Sequence, residues 1–412
     1  MGHRLLGATL SLALFALAVA VAVAGFARTH PTWWEASISL AVLAGIFPMI
    51  LAVNTRIVPV FSRRDWVSTR LLQMMVVLAI LGGWTVFGGR VRGSDPLVVL
   101  GSAASLLAGL LFLFNIGQLF RQEAPVRPAP PLPYPAQAGA DRIAINFTRL
   151  SAAWLVVGLI IGLLTSIHEP EMGRWELVWA HAMLVGFVLS MATGVTYHVL
   201  PRWTTGRWKT ITALRIHWYV TVVALPLMVL ALAIDSEILF HMAAPLEAMV
   251  IVLWVANVLP FIGQLPRPTG IGFGAALVAL TLGIALGMSF AVTPANGALL
   301  RPVHAELNLF GWAALLICGA VYYFAPRFAG MPLRWPRLVP IQLALTIGSL
   351  AAGIALLWLR IEGYETGMSV QIAHLGSALG LVLLGTIVAA TFAAPKRLPV
   401  GAIQVMPRPR PR

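Results

Sequence analysis

His304 heads the segment His-Ala-Glu-Leu-Asn-Leu-Phe-Gly-Trp (residues 304–312), inside an apolar run that continues through Tyr322, Tyr323, Pro326 and Arg327. His181 stands in the same way ahead of Gly186, Gly194, Tyr197, His198, Pro201 and Arg202. The two runs share the frame Gly-x7-Gly-x2-Tyr-[His/Tyr]-x2-Pro-Arg, with a histidine near the opposite end each time. An imidazole in an apolar span is costly unless it is paired, hydrated or bound to a metal. Neutral imidazole is also the commonest protein ligand for metal ions. The repeat therefore reads as a site as well as a fold.

The elements that carry these histidines are membrane helices. With 59% hydrophobic and 10% charged residues over 412 positions, and a mean hydropathy of +0.88, the chain is an all-α polytopic membrane protein and not a soluble globule. Apolar runs of about 20 residues mark twelve spans, the second ending near residue 54 and the fifth beginning near 148. The first, from about 5 to 26, is longer than the roughly 7 to 15 residues of a secretory signal core and reads as an anchor.

Arginine placement sets the expected topology. With both termini cytoplasmic, 22 of the 28 Lys and Arg residues face inside, leaving only Arg28, Arg90, Arg92, Arg174, Arg301 and Arg360 outside. That bias is the positive-inside pattern of a multi-pass protein in the bacterial inner membrane. The net charge of +14 then reflects loops facing anionic lipid and gives no reason to invoke nucleic acid.

Cys318 is the single cysteine, which excludes an intramolecular disulfide, a CxxC pair and a four-cysteine metal cluster. A metal would need histidine, carboxylate or tyrosine. Gly-Gln-Leu-x-Arg recurs at 117–121 and 263–267, one four-helix unit apart. The expected organisation is three four-helix modules, 1–122, 148–267 and 268–397, with a Pro-rich cytoplasmic linker at 123–147 and a basic tail at 398–412.

At this point the residues resemble a known family. Twelve spans in three arcs is the layout of heme-copper oxidase subunit I. The tenth span is similar to that family's helix 10, in which two histidines separated by one residue precede a glycine-rich run ending Tyr-Tyr-x-x-Pro. The resemblance implies that His304 falls on the axial ligand of the high-spin haem, and Glu306 on the ligand of the low-spin haem. The second span has no histidine to complete a low-spin site, and the seventh has only His217 where the family has a His-His copper pair. The resemblance thus implies no low-spin haem, no complete copper site and no oxygen reduction. The segments Asn54-Thr-Arg-Ile-Val-Pro-Val-Phe-Ser-Arg-Arg64 and Ala180-His-Ala-Met-Leu-Val-Gly186 are also similar to the NnrS family, which implies haem or copper and a link to nitrosative stress.

His181, His304, His241 and His374 are expected at similar depth near the outer ends of the sixth, tenth, eighth and twelfth spans, with His181 and His304 as the leading metal ligands. His3, His30, His168 and His217 read as solvated loop or helix-end residues. Glu306 and Glu247 are intramembrane carboxylates that should face the interior. Together with Tyr322 and Tyr197 they are candidates for a proton path or for residues supporting a metal ligand. The leading expectation is a haem-binding protein, with copper as the other metal, whose open coordination position suits nitric oxide. Electrons, if needed, would come from another protein or from quinol. The alternatives are a cofactor-free transporter or channel whose polar path is lined by Glu247, Glu306 and the histidines, or a respiratory assembly subunit.

Overall fold

The computed structural model describes residues 1–27, 31–123, 131–168 and 172–394. His30, the centre of the Pro-rich stretch and the basic tail lie outside the described residues. Among those described, twelve helices are long and apolar enough to cross a membrane: α1 His3–Phe26, α2 Thr32–Ser62, α3 Thr69–Arg92, α4 Asp95–Phe120, α5 Gln137–Ile167, α6 Gly173–Trp203, α7 Ile211–Ala233, α8 Glu237–Ile262, α9 Arg267–Val292, α10 Leu299–Ala329, α11 Pro336–Ile361 and α12 Ser369–Ala393. In hydrocarbon every backbone N–H and C=O must be bonded within the protein, which helices achieve alone. Each helix packs on the next in chain order, and α12 closes the ring against α1.

Three helices stand inside that ring. α2, α6 and α10 are each 31 residues long, and their apolar windows are 83%, 72% and 83% buried, more than any other helix. Each widens into a π-helical segment, at Ala41–Ile46, Ala182–Leu189 and Leu307–Ala314. The fifth residue of each segment is glycine: Gly45, Gly186 and Gly311. A Cβ on any of them would stand 2.7 Å from a side-chain atom on the first helix of its own arc, namely Leu17 on α1, Trp154 on α5 and Ala279 on α9. The fold is therefore three four-helix arcs around a pseudo-threefold axis, where the π segment of α2 meets those of α6 and α10.

The repeat also fixes which polar residues correspond. His181 immediately precedes the π segment of α6, and Glu306 immediately precedes that of α10. The structural counterpart of His181 is thus Glu306, and that of His304 is Trp179, three residues ahead of the segment in each case. The Gly-x7-Gly frame gives the same register, since His181 and Glu306 each stand five residues before its first glycine.

Two helix boundaries differ from the apolar pattern. α5 begins at Gln137, about three turns before the apolar run and inside the stretch expected to be linker. The Gln137 amide donates to Asp141 (2.7 Å) and to the Tyr197 carbonyl (3.1 Å), so polar contacts extend the helix where hydropathy does not. α2 runs on to Ser62 with Pro59 inside it, and the Pro-Arg ends of α6 and α10 are helical as well.

Close backbone approach holds α2 on α3. A Cβ at Gly83 would lie 2.5 Å from the Ala44 nitrogen and 2.6 Å from the Leu43 carbonyl carbon. Backbone cannot move aside as a side chain can. Gly83→Ala should destabilise the protein by about 1–3 kcal/mol, the usual cost of overpacking. Thermal unfolding in detergent checks this, and an unchanged midpoint would contradict the close approach.

Candidate functional site

Near the end of the bundle opposite the arginine-rich loops, α6, α8 and α10 carry His181, Glu247 and His304. His181 lies within electrostatic reach of both Glu247 and His304. The His181 Nδ1 donates to the Leu177 carbonyl at 2.9 Å, and the His304 Nδ1 donates to the Gly283 carbonyl at 2.9 Å. Both imidazoles therefore present Nε2 as the remaining proton acceptor. The His304 ring lies in a groove of α9, its Cε1 2.8 Å from where a Cβ on Gly287 would stand, and Phe290 packs 5.4 Å away. Asn308 donates to the His304 carbonyl at 2.7 Å and stands 3.5 Å from its Nε2. Glu247 is 4% exposed and has no hydrogen-bond partner among the described residues.

The other two histidines do not join this group. His374 is fully buried; its Nδ1 donates to the Val370 carbonyl (2.8 Å), and its Nε2 lies 3.1 Å from both carboxylate oxygens of Glu306. A proton holds that pair together whichever partner carries it. His241 is exposed on α8 and donates to the Glu237 carbonyl on its own helix. The expected convergence of four histidines is thus not formed, because one is spent in an ion pair and one faces outward. Among the described residues no three His, Cys, Asp or Glu side chains stand close enough to share a metal ion. Tyr322 is likewise engaged elsewhere, donating to Gln342 on α11 at 2.5 Å.

A second polar group sits toward the basic end of the same arc. Asn257 on α8 donates to the Tyr197 hydroxyl (2.8 Å), and the hydroxyl donates to Nδ1 of His217 on α7 (2.7 Å). That direction leaves no tyrosine proton unbonded and places the histidine proton on Nε2, which is buried with no partner among the described residues. His217 is 0% exposed, so its expected place as a solvated helix-end residue is corrected: it lies a turn and a half inside α7, against Phe147 and Tyr197. Below it, Asp141 accepts from both terminal nitrogens of Arg202 (2.9 and 2.7 Å), from His198 (2.9 Å) and from Gln137 (2.7 Å). Sequence reasoning missed Asp141, Asn257 and the burial of His217. The one available signal was Asn257 within the repeated Asn…Gly-Gln-Leu ending.

Between the two groups, Ser190, Thr193 and Tyr197 share one face of α6 by their spacing of three and four. The Ser190 and Thr193 hydroxyls are buried with no partner among the described residues. Trp254 on α8 donates to the Thr196 hydroxyl at 3.3 Å and meets Trp312 of α10 edge to face, ring centroids 6.3 Å apart. At the rim away from the arginine-rich loops Arg90 of α3 bridges Glu35 of α2 (3.1 Å) and Glu176 of α6 (2.5 Å).

No family model matches this chain, and no curated protein matches it. A cryo-EM structure of a heme-copper terminal oxidase dimer does match in shape, with a TM-score of 0.65 over 95% of this chain and 84% of that chain, at 13% sequence identity. The chain has the heme-copper oxidase fold. At that identity the likeness is one of architecture, so the chemistry must be judged from the residues present.

Haem, which the fold implies, does not fit this packing. Between α6, α8 and α10 the interior is filled by Trp254 and Trp312, both at most 2% exposed. Between α10 and α12 it is closed by the Glu306–His374 pair, with the His374 imidazole wedged against Gly25 and Gly353. A cavity on the central axis is about 110 Å³, well below the roughly 300–1,000 Å³ of cofactor-sized pockets.

Proposed function

We propose that this oxidase-fold protein is a haem-free membrane protein that conducts protons along a polar column in its second arc. The observation that carries the reading is the alignment of buried, unmatched polar groups along α6, α7 and α8. The column starts at His181 and Glu247, continues past Ser190, Thr193 and the Thr196–Trp254 bond, and ends at Tyr197, Asn257, His217, Gln137 and Asp141. From His181 to Tyr197 it covers about 24 Å of helix, most of the roughly 30 Å hydrocarbon thickness.

Unpartnered buried donors and acceptors cost about 1–3 kcal/mol each. Ser190, Thr193, His217 and Gln137 all carry one. A sequence that keeps four of them on one path gains if water completes their bonding. Water between hydroxyl, imidazole and carboxylate groups is what proton transfer requires. The reading places the chain in a bacterial inner membrane, with the basic loops and both termini cytoplasmic and the Arg90–Glu176 rim outside. The column is preferred to a haem, copper or nitric oxide reading because Trp254 and Trp312 pack between α6, α8 and α10, and among the described residues no three His, Cys, Asp or Glu side chains stand close enough to share a metal ion.

Two measurements on the purified protein test this. Vesicles containing the protein and a trapped pH dye should acidify or alkalinise under an imposed potassium diffusion potential faster than empty vesicles. The same preparation should show no stoichiometric pyridine haemochrome and no stoichiometric copper. Flux no greater than that of empty vesicles, or one haem per chain, would overturn the proposal.

A further inference from the structure

The π segment of α2 meets those of α6 and α10, and a cavity lies directly beyond them on the pseudo-threefold axis. Its wall begins with Ile46, Val188 and Ala313, each at or next to the end of its π segment. A π turn carries one extra residue, so the side chains that follow are rotated relative to those of a continuous α-helix. Where three facing helices take that rotation their side chains interdigitate less fully, and a half-open cavity of about 110 Å³ lies beside them. Interiors close such voids unless something maintains them.

The lining is chemically selective. Nineteen of its twenty-one residues are apolar, the exceptions being Asn54 and Thr196. The Thr196 hydroxyl is already committed to the Ala192 carbonyl at 2.7 Å. The Asn54 amide nitrogen donates to the Ile50 carbonyl at 2.9 Å and contacts the Met191 sulfur at 3.8 Å, which leaves only its amide oxygen. One acceptor cannot hold a water, which needs two to four polar partners. Apolar cavities of about 150 Å³ stay dry and take up xenon or benzene.

We propose that this axial cavity is a binding site for one small, uncharged, apolar molecule, in the size range from a diatomic gas to a short hydrocarbon. The site touches the polar column only at Thr196, whose hydroxyl is already bonded to Ala192 and Trp254, and it does not depend on proton transfer: the column runs between α6, α7 and α8, and the cavity lies where α2, α6 and α10 meet. It is smaller than a lipid chain and needs no metal.

Xenon is the probe. Crystals of the full-length protein pressurised with xenon should show an anomalous peak on the axis among α2, α6 and α10. Ala320→Leu, and separately Ala192→Leu, place a larger side chain in the void; each should abolish the peak while leaving the thermal midpoint equal to or above that of the parent. Three results would overturn the proposal: xenon bound elsewhere in the molecule but not on the axis, ordered water in the cavity, or continuous density for a detergent or acyl chain. If a filling variant does not fold, the peak in the unaltered protein decides.

Discussion

Replacing Glu247 by glutamine should lower proton flux through reconstituted vesicles on the order of 10²-fold, the size of loss expected when a positioned proton-transfer group is removed. Glu247 is the carboxylate of the column that lies near His181, 4% exposed and without a hydrogen-bond donor among the described residues. Glutamine keeps the shape and removes the titratable proton, so folding is preserved while transfer stops. Glu247→Asp should keep part of the flux. Among the described residues of this column, His181 and Glu247 form the ionisable link from the rim to the tryptophan pair. Flux unchanged in Glu247→Gln, with a normal thermal midpoint, would sink the assignment of this residue and of the column with it.

The largest stability effect should come from the buried pair on α10 and α12. Glu306 is 2% exposed and His374 is 0% exposed. Removing one partner of such a pair leaves the other without compensation and typically costs about 3–5 kcal/mol. Glu306→Leu should therefore lower the unfolding midpoint sharply, while Glu306→Leu combined with His374→Leu should recover most of the loss, because two apolar side chains can fill the same volume. The coupling appears as non-additivity in a double-mutant cycle followed by thermal unfolding. A double variant as unstable as the sum of the two singles would show that the residues do not act as a pair.

The Glu306 position shows how far residue patterns reach. The spacing of His304, Glu306, Gly311, Gly319 and Tyr322 identified the tenth span and its likeness to the sixth. It also directed attention to His304 as a ligand. The structure instead turns His304 into a glycine groove on α9 and gives Glu306 to His374, 68 residues away. No local pattern specifies that contact, since it depends on α12 closing the ring against α1 and α10.

His217 makes the same point from the other direction. Beside Arg215 and at the start of an apolar run, it has the local character of a helix-end residue. Its burial follows from Phe147 and Tyr197, which pack against it from α5 and α6. The π segments were also invisible in the sequence, because the glycine at their fifth position is equally well explained by close helix packing. Only the recurrence at Gly45 in α2, where the text of the repeat has faded, shows that packing and π geometry coincide in all three arcs.

What the sequence determined by itself was the class, the number of spans, their repeat and the expected side of the basic loops. These follow from hydropathy and charge, which act residue by residue against lipid and water. What only the tertiary structure decided was which polar residues meet: Glu306 with His374, and Tyr197 with His217 and Asn257, with His181 brought within electrostatic reach of Glu247. It also placed Trp254 and Trp312 edge to face in the interior between α8 and α10. Such contacts are set by the rotation of each helix about its own axis. That rotation is fixed by packing against neighbours far away in sequence.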